Sequence, residues 1–415
     1  MLKFRLVSAL ALLAATAFLA TLAGCGGAST THIIVPPPVS GPHHAQVILF
    51  PVIKAGDPNF NDFMSNILPN VSGVAVSMKW NEIETSQGSY DFSAYDANLA
   101  PYIAAGRTVN LIVWPATEGG NNDPATSGST PAYVFTQAWA NSVGAPTPQD
   151  MAVCASYEGD SGNPFFNSEG VWNITRSGDL SGLPVSYELP FMKAYQNFIA
   201  AVIAHYNGNA TTPIGYIRFG FSQGGENSPL CNQDPWPNYS KSTYLTYIQT
   251  MTQFVAQQNP QMTILEDLHA VGVPPNQDLG YADTEAQDAV NNSMGFGTNG
   301  LQQSDITNSA SGQPCDSDWC ALFAQYAGTT FNGKPITLSL QTLQWSDPTK
   351  AQATGSLSDL LPFIVQHGTN NVELYLADAA LAFSPNYLNY PHSDPSFTSF
   401  AGAYKQAIQT YLGAQ

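Results

Sequence analysis

The stretch from Pro213 to Pro229, P-I-G-Y-I-R-F-G-F-S-Q-G-G-E-N-S-P, sets the reading of the whole chain. Its apolar run, Ile214 to Phe221, carries the β-branched and aromatic residues of a buried strand and ends at Ser222-Gln223-Gly224-Gly225. Glu226 and Asn227 follow at once. A strand is a rigid base, and glycines let backbone approach a ligand where a side chain would block it. Glu226 therefore reads as a carboxyl group at the mouth of a buried strand, a natural place for proton chemistry. Alone, Gly-Gly-Glu fits an ordinary turn with a solvated acid equally well.

Similar strand-like runs recur on both sides, separated by helical periodicity. They are Gln46–Ile53, Val71–Met78, Arg107–Trp114, Ile214–Phe221, Met262–Leu265, a short one near Met294–Phe296, Pro335–Gln341 and Val372–Leu376. Helices are expected at Asn61–Leu68, Tyr95–Ala105, Leu189–His205, Ser242–Gln257, Tyr281–Asn291, Trp319–Tyr326, Leu357–Gln366 and Phe397–Leu412. This βαβ rhythm demands a parallel sheet, and eight units favour a closed (β/α)8 TIM barrel over an open one. An open doubly wound sheet would carry a phosphate-binding glycine turn after an early strand, whereas Gly224-Gly225-Glu226 follows the fourth. One interruption stands out. The polar stretch from Thr117 to about Ser186 is too long for a plain connection, so it reads as a long inserted loop after the third strand, serving as a lid or one wall of a cleft.

Residues 1–25 read as a signal peptide: Lys3 and Arg5 precede the apolar run Leu6–Leu22, which ends in Leu22-Ala23-Gly24-Cys25. That ending resembles a bacterial lipobox, which implies cleavage before Cys25, a lipid anchor on its thiol, and membrane attachment through that lipid. With Gly26 after the cysteine, the resemblance implies a place in the cell envelope at the outer membrane. Residues 26–44, rich in Gly, Ser, Thr and then Pro, form a tether, and 45–415 the barrel domain.

The formal charge is −18 with only 12 Lys and Arg, so nucleic acid is not an expected partner. Charged residues are 10% of the chain, and its abundant amides, hydroxyls and tyrosines suit a neutral polar ligand. Besides Cys25, four cysteines suggest two disulfides in an exported chain. Cys315 and Cys320 make a small loop staple, leaving Cys154 with Cys231 to tie the insertion to the loop after Glu226. No Cys-x-x-Cys or His-x-x-x-His spacing suggests zinc, and neither a metal nor another cofactor is expected.

Working groups of a (β/α)8 barrel gather at the carboxyl ends of its strands. There the sequence places Trp80, Asn81 and Glu82 after the second strand and Trp114 at the end of the third. Gln223, Glu226 and Asn227 follow the fourth, Glu266, Asp267 and His269 the fifth, and Gln302 and Gln303 the sixth. Gln341, Gln344 and Trp345 follow the seventh, and Glu373, Tyr375 and Asp378 lie on or after the eighth. Indole faces stack on pyranose rings while amides and carboxylates bond their hydroxyls, so a carbohydrate is the expected substrate.

The run Trp80-Asn-Glu-Ile-Glu-Thr-Ser-Gln-Gly-Ser-Tyr-Asp-Phe-Ser93, with Asp96 and Gly106 beyond it, resembles the W-x-x-I-E-P-x-x-G-x-Y-D-F-S signature of retaining (β/α)8 glycoside hydrolases. The resemblance implies a general acid/base Glu at the end of the fourth strand, which falls on Glu226, and a nucleophilic Glu at the end of the seventh. The chain departs from that pattern twice. Gly225 stands where the family has Asn, and the seventh strand ends in Gln341-Thr342-Leu343-Gln344-Trp345 without a carboxylate. Paired-carboxyl chemistry needs a second acid at about 5–5.5 Å for retention or about 6.5–9.5 Å for inversion. Glu266 or Asp267, and Glu373 or Asp378, are the choices. Glu373 is preferred because a charge within the apolar run Val372–Leu376 is expensive unless it faces a functional lumen, although Arg218 or Arg107 could equally pair with it. The expectation is a glycosidase with Glu226 as proton donor. Its alternatives are a barrel that binds glycan without cleaving it and a purely structural surface lipoprotein.

Overall fold

The structure is a computed structural model that describes residues 45–116, 129–144, 187–222, 225–227, 230–231, 234–235, 240–268, 280–312, 315 and 319–412. Eight parallel strands close a barrel in chain order: β1 (Gln46–Phe50), β2 (Gly73–Lys79), β3 (Thr108–Trp114), β4 (Ile214–Phe219), β5 (Thr263–Leu268), β6 (Gly295–Leu301), β7 (Leu338–Thr342) and β8 (Asn371–Tyr375). The last strand returns to the first, with Gln46 opposite Asn371 and Phe50 opposite Tyr375. The fold is a (β/α)8 TIM barrel.

Strand periodicity sorts the apolar residues into two cores. Val47, Leu49, Val74, Val76, Leu111, Val113, Ile217 and Phe219 face the helices, while Ile48, Phe50, Ala75, Ile112, Tyr216 and Leu265 meet in the lumen. Both faces are buried, so the strands read in sequence as continuous apolar runs.

The helical layer comprises α1 (Ser93–Ala104), α2 (Leu189–Tyr206), α3 (Lys241–Gln257), α4 (Gly280–Asn291), α5 (Gln303–Ala310), α6 (Trp319–Tyr326), α7 (Leu357–Gln366), α8 (Leu376–Phe383) and α9 (Ala401–Tyr411). Ser240 and Ser356 cap α3 and α7 by accepting from Thr243 and Ser358 backbone N–H groups. Three elements differ from expectation. The helix at Asn61–Leu68 is a chain of short turns over Phe60–Asn70, with Pro69 near the start of the last one. Sequence reasoning also passed over α5 and α8, the latter starting directly at the end of β8.

Cys315 and Cys320 form the expected staple, with Cα atoms 5.8 Å apart. The Cys154–Cys231 pairing and the Cys25 anchor lie outside what the structure describes. Of the insertion, only 129–144 is described. There Thr130 donates to the Pro115 carbonyl at 2.7 Å, and the Trp139 indole donates to the Pro190 carbonyl at 2.9 Å. Among the described residues, no helix is long and apolar enough to cross a membrane.

Candidate functional site

The carboxyl end of β4 builds the site. Its inward residues are Tyr216, Arg218 and then Gly220, where a Cβ would lie 2.0 Å from the Gly225 carbonyl carbon. Only glycine lets the chain fold back this closely. The returning segment is fixed by the Ser222 N–H donating to the Glu226 carbonyl at 3.0 Å, with Gly225 in the left-handed region at φ 75° against Trp114. Asn227 then locks the turn. Its N–H donates to the Asp267 carbonyl at 3.0 Å, its Oδ1 accepts from the Phe221 N–H at 2.9 Å, and its Nδ2 donates to Glu266 Oε1 at 2.8 Å. This clamp places Glu226, which is partly exposed, beside the lumen.

Below it lies Arg218, 2% exposed, at the centre of a polar network. Its Nη1 is 2.9 Å from Glu373 Oε2 and donates to Asn299 Oδ1 at 2.7 Å. Its Nη2 donates to Gln341 Oε1 at 2.8 Å, and its Nε is 3.4 Å from Asp267 Oδ2. Burial works against the guanidinium charge, but Asp267 and Glu373 more than offset it and hold its pKa above the ordinary arginine value. Tyr216 donates to Glu373 Oε1 at 2.5 Å; burial, then that carboxylate, pushes its phenol pKa far up. Asn299 completes the link upward, its Nδ2 donating to Glu226 Oε1 at 2.6 Å.

Around the mouth stand Phe50, Trp114 and Tyr375, with Phe50 and Tyr375 edge to face at 6.0 Å. Gln341 Nε2 donates to the Tyr375 hydroxyl at 3.3 Å. Trp345 lies edge-on to Tyr375 at 6.3 Å, and the imidazole of His392 stacks on its indole at 3.5 Å. One face of Trp345 is thus already covered.

The network therefore gathers Glu226, Asp267, Glu373 and Gln341 of the expected residues, with Trp114, Tyr375 and Trp345 at its rim. Three assignments need correction. Glu266 points away from the lumen: it is 1% exposed between β5 and α3, where Thr252 donates to it at 2.7 Å. Its neighbour Asp267 is the inward acid. Trp80 has no exposed face, because it swings out among Phe191, Tyr195 and Phe198 and donates to Glu84 at 2.6 Å. Asn227 is fully buried, and its side-chain amide bonds protein on both sides. Gln223 and His269 lie outside the described residues. Sequence reasoning missed Asn299, whose only signal was a strand continuing past Phe296.

No protein-family model and no curated protein matches the sequence. Among solved structures, the chain is similar to the lactosyl-enzyme intermediate of endo-glycoceramidase II from Rhodococcus sp., at 11% identity and a TM-score of 0.41, over 74% of this chain and 64% of that one. It is similar to an exo-β-1,4-mannosidase from Opitutaceae bacterium strain TAV5, at 12% identity and a TM-score of 0.41, over 82% of this chain and 53% of that one. A glycosylated endo-β-1,4-xylanase of glycoside hydrolase family 10 from Gloeophyllum trabeum aligns at 13% identity and a TM-score of 0.45, over 89% of this chain and 96% of that one. The chain thus spans less than two thirds of the length of the first two.

Proposed function

We propose that this protein is a glycoside hydrolase acting on a polysaccharide or oligosaccharide, with Glu226 as proton donor to the leaving oxygen. The observation that carries the reading is the Glu226 carboxyl, folded back to the carboxyl end of the barrel and gripped by Asn299 at 2.6 Å. That end of the fold is where catalytic groups collect. Beneath it, Asp267 and Glu373 share one guanidinium, so the lumen keeps negative charge even when Glu226 is protonated. Such a field favours the positive charge that grows at an anomeric carbon during glycoside cleavage. Trp114 and Tyr375 offer ring surface to a sugar beside it.

One observation favours a second reading, a barrel that binds glycan without cleaving it. Gln341, next to last in β7, has its side-chain oxygen held by Arg218 at 2.8 Å, and an amide there cannot form a glycosyl ester. Hydrolysis of a glycan panel by the purified protein and its Glu226→Gln variant, with product lengths read by mass spectrometry, separates the two. Release of oligosaccharides that falls at least about a hundredfold in the variant supports the hydrolase. Retention of the same glycan by both proteins without cleavage supports the binding barrel. The reading extends to location: a lipid on Cys25 would hold the domain at the outer membrane, and Cys25→Ala would then move it to the soluble fraction.

A further inference from the structure

A side-chain amide presents a donor at one end and an acceptor at the other, and here the guanidinium decides which end faces where. Arg218 has only donors. The Asn299 atom it meets at 2.7 Å must therefore be the carbonyl oxygen, which turns the Asn299 NH2 toward Glu226 Oε1 at 2.6 Å. By the same logic Gln341 gives its oxygen to Arg218 and its NH2 to Tyr375. A buried cation is thus passed to the mouth of the barrel as two donors of fixed direction.

We propose that Asn299 is a positioning residue of this site: its amide, locked in one orientation by Arg218, holds Oε1 of Glu226 as an acceptor and confines the transferable proton of Glu226 to Oε2. The inference rests on the reading of Glu226 as proton donor. A donor aimed at Oε1 also favours the carboxylate over the acid, so Asn299 sets the pH at which Glu226 gives up its proton. Among the described residues, the other titratable and charged groups facing this network are Tyr216 and Arg218 from β4, Asp267 from β5, and Glu373 and Tyr375 from β8. All of these stay in place when Asn299 alone is changed.

A merely structural Asn299 would alter stability or KM without moving the titration of Glu226. The test uses the full-length protein labelled with carboxyl-13C glutamate, the Glu226 resonance being assigned with Glu226→Gln, in wild type, Asn299→Ala and Asn299→Asp. Alanine removes the donor. Aspartate is nearly isosteric, still meets Arg218, and sets a second negative charge against Glu226. The expected midpoints rise in the order wild type, Ala, Asp, by about half a unit and then by at least about one unit in all. On a cleaved glycan, the alkaline limb of kcat/KM moves by the same steps. Asn299 is only partly buried, so water can reach the vacated space in the alanine variant; should that variant fail to fold, the aspartate variant carries the comparison. Equal midpoints in the folded proteins overturn the inference. If the midpoints move in order but no glycan is cleaved, the relay stands and the hydrolase reading falls. If Glu226→Gln abolishes cleavage while the midpoints stay fixed, the hydrolase stands and the relay falls.

Discussion

Two acidic clusters lie back to back across β5, and adjacent residues feed them. Asp267 points into the lumen, where it and Glu373 share Arg218; Glu266 points out toward α3, where its neighbours are Thr252, Asn227 and, from α4, Glu285. Arg218 compensates the inward acids with charge. The outward acids have no such cation among the groups that shift them. Burial pushes Glu266 up to about 8 despite the hydrogen bonds from Thr252 and Asn227. Burial, then the neighbouring Glu266, pushes Glu285 well above the carboxylate range, against the Tyr244 hydroxyl that donates to it at 2.8 Å. Below about pH 8 the protein answers burial with a cation on one face and with protons on the other. The two clusters meet at Asn227, which links Glu266 to the turn holding Glu226.

The largest expected effect comes from removing the cation. Arg218→Met leaves Asp267 and Glu373 buried without their partner, a loss of about 3–5 kcal/mol. Urea denaturation at pH 7 measures it. A loss of no more than about 1 kcal/mol would mean that packing of the arginine stem, and not its charge, is what the two acids need.

The outer cluster answers to pH in a defined sense. The folded-state pKa of Glu266 lies above its ordinary value of 4.5, so the folded chain binds more protons than the unfolded chain between about 4.5 and 8. Its contribution to stability is complete below 4.5 and is lost as pH rises through about 8. Glu266→Gln keeps the shape and has no proton to lose. Across pH 5 to 8.5 the wild type should lose a few kcal/mol relative to this variant, about 1.4 kcal/mol for each pH unit within the window. Parallel urea midpoints for the two proteins across that range would remove Glu266 as the source.

The barrel was legible in the sequence because eight apolar runs alternate with helical periodicity over most of the chain. Inward and outward directions were not. A strand buried on both faces shows no polar alternation, so nothing in Ile264-Leu265-Glu266-Asp267 says which acid meets the lumen. Asn299 was hidden for another reason. Strand β6 is rich in glycine, and a Cβ on Gly295 or Gly297 would lie 2.2 or 2.8 Å from a carbonyl oxygen of the neighbouring β7 region. The close approach that demands glycine also removes the side chains by which a strand is recognised. Glu226 was visible because its Gly-Gly-Glu follows the strongest strand in the chain. The clamp around it was not, since Asn227 also bonds Glu266 and Asp267, about forty residues on, which only the pairing of β4 with β5 brings near.

The smallest expected effects compare two tryptophans that looked alike in sequence, both at strand ends. Trp80 donates its indole N–H to buried Glu84 at 2.6 Å, so Trp80→Phe leaves a carboxylate oxygen short of a partner. It should cost about 1–3 kcal/mol of stability and leave glycan binding unchanged. Trp114 is partly exposed at the mouth, and its buried Nε1 has no hydrogen-bond partner among the described residues. Trp114→Phe removes that unmet donor, so the gain offsets the lost contact beneath Gly225 and stability should stay within about 1 kcal/mol. If the exposed part of the indole stacks on a sugar, the smaller phenyl ring lowers glycan affinity about three- to tenfold in this variant, the worth of one aromatic contact. Thermal unfolding together with affinity electrophoresis on the retained glycan reads both quantities. An affinity loss in Trp80→Phe, or a stability loss confined to Trp114→Phe, would reverse the roles assigned to the two rings.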